Sequence, residues 1–114
     1  MKILKQILVS LCMFTLLLPV ASSLLHAGGH KKTIALLPGV VDPFYFTMHR
    51  GAKHAADALG VNLLFQIPKQ WNVSVQVPIL NAIIAKKPDA ILIAPTDKVQ
   101  LIAPLKAAVD QGIK

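Results

Sequence analysis

The chain has 114 residues, which leaves room for one small domain. Its 12 Lys and Arg residues outnumber its 5 acidic residues, all of them aspartates, and the net charge is +7. The spacing of the aspartates gives no carboxylate pair for glycoside hydrolysis, and the single cysteine excludes a disulfide framework and a cysteine-based zinc site.

The first 27 residues have the pattern of a secretory signal peptide. Lys2 and Lys5 give a positive start, residues 7–20 are mostly apolar, and small residues follow as far as Ala27. The apolar stretch is shorter than the roughly 20 residues of a membrane-spanning helix, and an uncleaved anchor stays as the alternative. We therefore predict an exported protein whose mature domain is residues 28–114. Its basic residues are scattered, which argues against nucleic acid as a partner.

Residues 28–114 alternate between predicted strands and predicted helices. Continuous apolar runs indicate buried strands at residues 33–37, 61–67 and 90–94. The first helix is predicted to have Asp42 as its N-cap and Gly60 as its C-cap. Its predicted apolar face consists of Tyr45, Met48, Ala52, Ala55 and Leu59, beside which Gly51 would let the helix approach a sheet closely.

Prolines affect where the second and third helices are predicted to begin. Pro78 lacks an N–H, so we expect the second helix to begin at or just before Val75 and to extend to about Lys87. Pro104 predicts a short turn over residues 99–103 and a helix that restarts at the proline. The predicted apolar face of the second helix consists of Val73, Val77, Leu80 and Ile84.

The order of strands and helices predicts an α/β fold. Its connections are long enough for parallel crossovers, which gives an open parallel sheet of about three strands with helices on both faces. Ile113 and Lys114 resemble the approach to a fourth strand. We therefore expect the chain to be the leading part of a larger protein.

Ligands of open parallel sheets bind at the carboxyl ends of the strands, and candidate site residues follow all three predicted strands. Phe44 and Tyr45 could stack on the C–H face of a sugar ring, and Asp42 could accept hydrogen bonds from its hydroxyls. Trp71 is a second candidate for stacking, and Asp97 is a candidate polar contact. The structural alternatives stay open: both aspartates as helix caps, the phenylalanine and tyrosine as core residues, and the tryptophan as a loop anchor.

Other kinds of site are not indicated. His49 and His54 are five residues apart, about 140° around a helix, so they cannot share a metal. Pro38-Gly39 lacks the signatures of a phosphate-binding loop, and no nucleophile stands in a pattern with a base. We predict that the protein is not an enzyme and has no metal or cofactor.

Several segments, in their order and spacing, resemble the sugar-binding proteins of bacterial ABC importers. They are Thr33-Ile34-Ala35-Leu36, Asp42-Pro43-Phe44-Tyr45, Gln76 with Ile79-Leu80-Asn81, and Lys87-Pro88-Asp89 running into Pro95-Thr96-Asp97. The group they resemble most is the ribose-binding-like, type I periplasmic binding proteins. The resemblance implies two α/β lobes with a sugar between them, and residues 28–114 would form a Rossmann-like part of the N-terminal lobe. It also implies that Phe44 and Tyr45 stack on the sugar and that Asp42 bonds to it.

The same resemblance implies a monomeric periplasmic receptor for carbohydrate transport, with a sugar as ligand and an inner-membrane ABC permease as partner. The alternative is a sensing module of the same fold that presents its ligand to a chemotaxis or quorum-type receptor. The family's proteins are much longer than this chain, which lacks the second lobe. We therefore expect the chain to be truncated and, alone, to bind sugar weakly or not at all.

Overall fold

The computed structural model of the protein describes residues 29–114, and the predicted signal peptide at residues 1–27 lies outside the described residues. Three strands alternate with three helices within Lys31–Lys114. The elements are β1 (Thr33–Leu37), α1 (Pro43–Leu59), β2 (Asn62–Phe65), α2 (Val73–Ala85), β3 (Ala90–Ile93) and α3 (Ile102–Asp110). Within residues 29–114, no helix combines the length and the apolar character needed to cross a membrane.

The three strands form one parallel sheet in the order β2-β1-β3. Ala35 in the central strand lies opposite Leu64 on one side and Ile91 on the other. On the outer side of β3, Lys114 donates its backbone N–H to the Asp89 carbonyl at 3.0 Å and accepts from the Ile91 N–H at 2.8 Å. The predicted open parallel α/β sheet is thus confirmed, and its hydrogen bonding on the β3 side extends to Lys114.

The main core lies on the face of the sheet covered by α2 and α3. Its buried members are Ala35, Leu37, Leu80, Ile83, Ile84, Leu101, Ala108 and Ile113. Because side chains alternate along a strand, Leu36 points to the opposite face, toward α1. Val73 and Val77 pack against the core, so the predicted apolar face of the second helix is confirmed.

The α1 face of the sheet is covered less completely. Ala56 is the buried residue of α1, whereas Met48, Ala55 and Leu59 are exposed, so the predicted apolar face is wrong at these three positions. The inward-facing stripe of α1 is offset from the predicted one, because its buried and half-buried residues are Tyr45, His49, Ala52 and Ala56.

Gly51 does not bring α1 close to the sheet, because a Cβ placed there would meet nothing within 4 Å. The interpretation of this glycine as a close-approach residue is wrong. A cavity of about 440 Å³ lies between α1 and the sheet instead. Its lining includes Leu36, Met48, Gly51, Ala52 and Leu92, and Leu92 is 52% exposed.

The prolines have different consequences in the two helices. α2 begins at Val73, two residues before Val75, because Asn72 Oδ1 accepts a 2.8 Å hydrogen bond from the Ser74 N–H and caps the helix. Pro78 is accommodated inside α2. α3 begins at Ile102, so Pro104 occupies its third position, where a backbone N–H has no intrahelical partner.

Other boundaries differ by one or two residues. β2 covers Asn62–Phe65, shorter at both ends than the predicted strand at residues 61–67. α2 ends at Ala85, and Lys87 has a φ of 51°, which a continuing helix does not allow. A turn occupies residues 98–101 in place of the one predicted at 99–103.

Candidate functional site

The loops that follow the three strands meet at the carboxyl edge of the sheet. The Val41 N–H donates to the Pro68 carbonyl at 2.9 Å, which joins the loop after β1 to the loop after β2. The Ala94 N–H donates to the Leu37 carbonyl at 3.0 Å, which joins the end of β3 to the end of β1. All five predicted site residues lie in these loops or at the first turn of α1.

Asp42 and Phe44 stand at the start of α1. Asp42 has an extended backbone, and its Oδ1 accepts a 2.8 Å hydrogen bond from the Phe44 N–H. It is therefore the N-cap of α1, as the sequence predicted. That cap uses one carboxylate oxygen and leaves Oδ2 for another partner. Phe44 is 65% exposed, and its ring meets the half-buried Tyr45 edge-on, with centroids 5.2 Å apart. Phe44 is therefore not a core residue.

Trp71 lies against the backbone of Gly39. A Cβ added to Gly39 would stand 2.6 Å from Trp71 Cε3, so the indole occupies the space that a side chain would need. The tryptophan is nevertheless 54% exposed. It is anchored to the loop after β1 and still presents aromatic surface at the carboxyl edge.

Asp97 caps the turn at residues 98–101. Its Oδ1 accepts hydrogen bonds from the backbone N–H groups of Gln100 at 2.6 Å and Val99 at 2.8 Å. These two bonds, the Gln100 bond first, lower the pKa of Asp97 from its ordinary value because they favour the ionised carboxylate. The helix-cap alternative is therefore wrong for Asp97, because the N-cap of α3 is Leu101 and the aspartate caps the preceding turn instead. Its Oδ1 is used in that turn, which leaves Oδ2 for a ligand.

The cap at Asp97 predicts a pH dependence with a defined sign. A lowered pKa means that the cap stabilises the turn at neutral pH and loses this effect as the pH falls through the folded-state pKa. In an NMR titration, the amide shifts of Val99 and Gln100 should follow one midpoint below the ordinary aspartate pKa. The Asp97→Asn variant should lack that transition, and a midpoint at or above the ordinary value would contradict the assignment.

Gln76 and Gly39 are the two residues of this edge that the sequence analysis did not assign to the site. Gln76 lies on the apolar face of α2, fully buried, and its side-chain amide bonds to the ends of β1 and β3. A lone glutamine between the apolar residues Val73, Val77 and Leu80 was the signal, because a buried polar side chain needs partners. For Gly39, no feature of the sequence distinguishes a glycine that packs against an indole ring from an ordinary turn glycine.

The histidines of α1 have no arrangement for metal binding. His49 stacks on Phe65, with ring centroids 3.9 Å apart and planes at 9°, and so packs α1 against β2. Within the part of the chain that the structure describes, no group of three or more His, Cys, Asp or Glu side chains could hold a metal ion.

A family model described as a periplasmic binding protein domain matches residues 34–114. Among solved structures, the chain is similar to an ABC transporter solute binding protein from Agrobacterium vitis bound with α-D-tagatopyranose. The two are 58% identical, with a TM-score of 0.71, and the match covers 73% of this chain and 28% of that one.

Two further solute binding proteins show the same similarity. One, from Burkholderia graminis in complex with D-arabinose, has 32% identity and a TM-score of 0.70, covering 73% of this chain and 29% of that one. The other, from Actinobacillus succinogenes with bound D-allose, has 29% identity and a TM-score of 0.69, covering 73% and 30%. This chain therefore spans less than a third of the length of each of these three proteins.

Proposed function

The chain belongs to the family of periplasmic binding protein domains, and we propose that it forms one wall of the sugar-binding cleft of an ABC importer's solute receptor. The observation that carries this proposal is the exposed aromatic ring of Phe44 beside the carboxylate of Asp42, at the carboxyl edge of the sheet. An aromatic face and a carboxylate oxygen are the two groups that recognise the C–H face and the hydroxyls of a sugar.

Each candidate residue has a proposed role that fits its contacts. Phe44 stacks on the sugar, Tyr45 supports that ring from the side, and Asp42 accepts from a sugar hydroxyl through Oδ2 while Oδ1 caps α1. Trp71 closes the neighbouring side of the cleft from its position over Gly39. Asp97 contributes Oδ2 at the end of β3.

The relatives support import as the role of the receptor. The three solute binding proteins belong to ABC transporters, and their structures contain a tagatose, an arabinose and an allose as bound sugars. We extend this to a monomeric periplasmic protein, exported by residues 1–27, that presents its sugar to an inner-membrane permease and catalyses no reaction. The sensing alternative would use the same fold and cleft, and it is the three solute binding proteins, not the contacts of this chain, that favour import.

A chimera tests the proposal with the opposite wall of the cleft in place. Residues 34–114 of this chain would replace the matched segment of the Agrobacterium vitis protein, to which the chain is 58% identical. We expect the chimera to bind D-tagatose in a calorimetric titration. Phe44→Ala should weaken that binding about 5- to 10-fold, because an aromatic contact contributes about 1 kcal/mol.

The matched control is Phe46→Ala, which removes the same ring two positions along the helix, on another side of it. We expect this variant to bind D-tagatose as tightly as the parent chimera. The 114-residue chain alone should bind D-tagatose much more weakly, because one wall cannot enclose the ligand. Equal affinities for the parent and the Phe44→Ala chimera would remove Phe44 from the site, and a folded chimera that binds no sugar would contradict the proposed function.

A further inference from the structure

Gln76 is the one fully buried polar side chain within residues 29–114. It lies on the face of α2 that packs into the core beside Leu80 and Ile83. Burying an amide without partners is costly, and an apolar residue would fill the same space at no such cost. The side chain therefore needs hydrogen bonds, and where these go indicates what Gln76 does.

The amide of Gln76 uses its full hydrogen-bonding capacity. Nε2 donates to the Ala94 carbonyl at 2.8 Å and to the Pro38 carbonyl at 3.3 Å. Oε1 accepts from the Thr96 N–H at 2.8 Å and from the Thr96 hydroxyl at 2.7 Å. The orientation of the amide follows from these partners, because carbonyls only accept and a backbone N–H only donates.

These side-chain hydrogen bonds take the place of the next main-chain hydrogen bonds between β1 and β3. Leu37 lies opposite Ile93 in the parallel register, and the last main-chain bond runs from the Ala94 N–H to the Leu37 carbonyl. Two residues further on, Gly39 would bond to the Ala94 carbonyl and the Thr96 N–H if the pairing continued. Gln76 takes both of these groups. The two strands can therefore separate at their carboxyl ends without leaving buried polar groups unpaired.

We infer that Gln76 is a positioning residue that holds β1 and β3 apart at the carboxyl edge and sets the width of the candidate crevice. The inference rests on the proposed function in treating this edge as the sugar site. Pro38, whose carbonyl accepts from Gln76, directly precedes Gly39, against which Trp71 packs. Thr96, whose N–H donates to Gln76, directly precedes Asp97. One buried amide thus fixes the loop that carries Asp42 relative to the loop that carries Asp97.

The first test measures hydrogen exchange in the full chain, without any sugar. Gln76→Met keeps the length of the side chain and removes all four hydrogen bonds. We expect the Thr96 amide to exchange about 10-fold faster or more, relative to the amides of the β1–β2 ladder. Gln111→Met is the matched control, because the Gln111 side chain donates to the Ala107 carbonyl of the preceding helix, α3, and to no group of the sheet. It should leave the relative exchange of Thr96 unchanged.

A second variant separates hydrogen bonding from filling of space. Gln76→Glu has nearly the same shape, but at neutral pH its carboxylate cannot donate to the Pro38 and Ala94 carbonyls. The carboxylate still accepts from Thr96, so the amide to follow here is that of Ala94, which makes the last main-chain hydrogen bond between β3 and β1. Its protection should fall in the ionised variant and partly return on acidification, when the protonated form donates one hydrogen bond. Asp97 is the titratable group beside Thr96. The pH dependence of Gln76→Glu is therefore compared with that of the Gln76 protein when both carry Asp97→Asn. If the methionine variant does not fold, Gln76→Glu takes its place, with exchange of the Ala94 amide as the measurement.

The outcomes for Gln76 and for sugar binding are distinguishable. Unchanged relative exchange of Thr96 in Gln76→Met, or of Ala94 in Gln76→Glu where that variant replaces it, would overturn the positioning role. An effect of Gln76→Glu that does not depend on pH would also overturn it. In the chimera, Gln76→Met should lower the affinity for D-tagatose about 10-fold or more while Gln111→Met does not, and equal affinities would overturn it too. A parent chimera that binds no sugar contradicts the proposed function alone, because the exchange experiment needs no ligand.

Discussion

Leu80→Ala is expected to lower the free energy of unfolding by about 3 kcal/mol, within the range of about 2–5 kcal/mol measured for leucine truncations in protein cores. Leu80 is fully buried on α2, in the cluster that joins the sheet to α2 and α3. The variant loses the burial of three carbon atoms and leaves a cavity between rigid elements. Urea denaturation followed by circular dichroism should show a lower midpoint with little change in the slope.

Leu59→Ala is the matched control on another helix of the same chain. Leu59 is 76% exposed at the end of α1, so its truncation should change the free energy of unfolding by less than about 0.5 kcal/mol. The apolar spacing of the sequence had placed this leucine on a buried face. A loss at Leu59 as large as the loss at Leu80 would contradict the distribution of the core described above.

The elements of the fold could be predicted from local patterns because each pattern has a local cause. Asp42 and Gly60 cap the ends of α1 through their own backbone and side-chain geometry, and both were predicted. The apolar run at residues 33–37 became the central strand for the same reason. The face of α1 was predicted less well, because the helix packs through His49, which stacks on Phe65, and a search for apolar spacing passes over this polar residue.

The candidate site could be predicted as a place more readily than as a set of contacts. The carboxyl edge follows from the parallel topology, and the structure puts Asp42, Phe44 and Trp71 there. The bonds of Gln76 could not be predicted, because they join groups 18 to 38 residues apart along the chain. The fit of Trp71 over Gly39 likewise depends on how two loops pack.

Gly39→Ala is expected to displace Trp71 and to weaken the candidate site. Gly39 is not among the glycines with a positive φ, so alanine can adopt its backbone conformation, and the conflict is one of space alone. The added Cβ would stand 2.6 Å from Trp71 Cε3 and 3.0 Å from Cη2. Because the indole is more than half exposed, it can swing toward solvent. Trp71 is the only tryptophan of the chain, so its fluorescence emission should shift to longer wavelength.

Gly51→Ala is the matched control, because a Cβ at this helical position meets nothing within 4 Å. It should leave the emission of Trp71 unchanged and stabilise the protein by about 0.5–1 kcal/mol, the usual gain when alanine replaces glycine inside a helix. In the chimera, Gly39→Ala should weaken binding of D-tagatose about 5-fold, whereas Gly51→Ala should not. If Gly39→Ala shifted the emission of Trp71 without changing the affinity, the tryptophan would be a loop anchor and not a wall of the cleft. An unchanged emission would mean that the indole does not rest on Gly39 in solution.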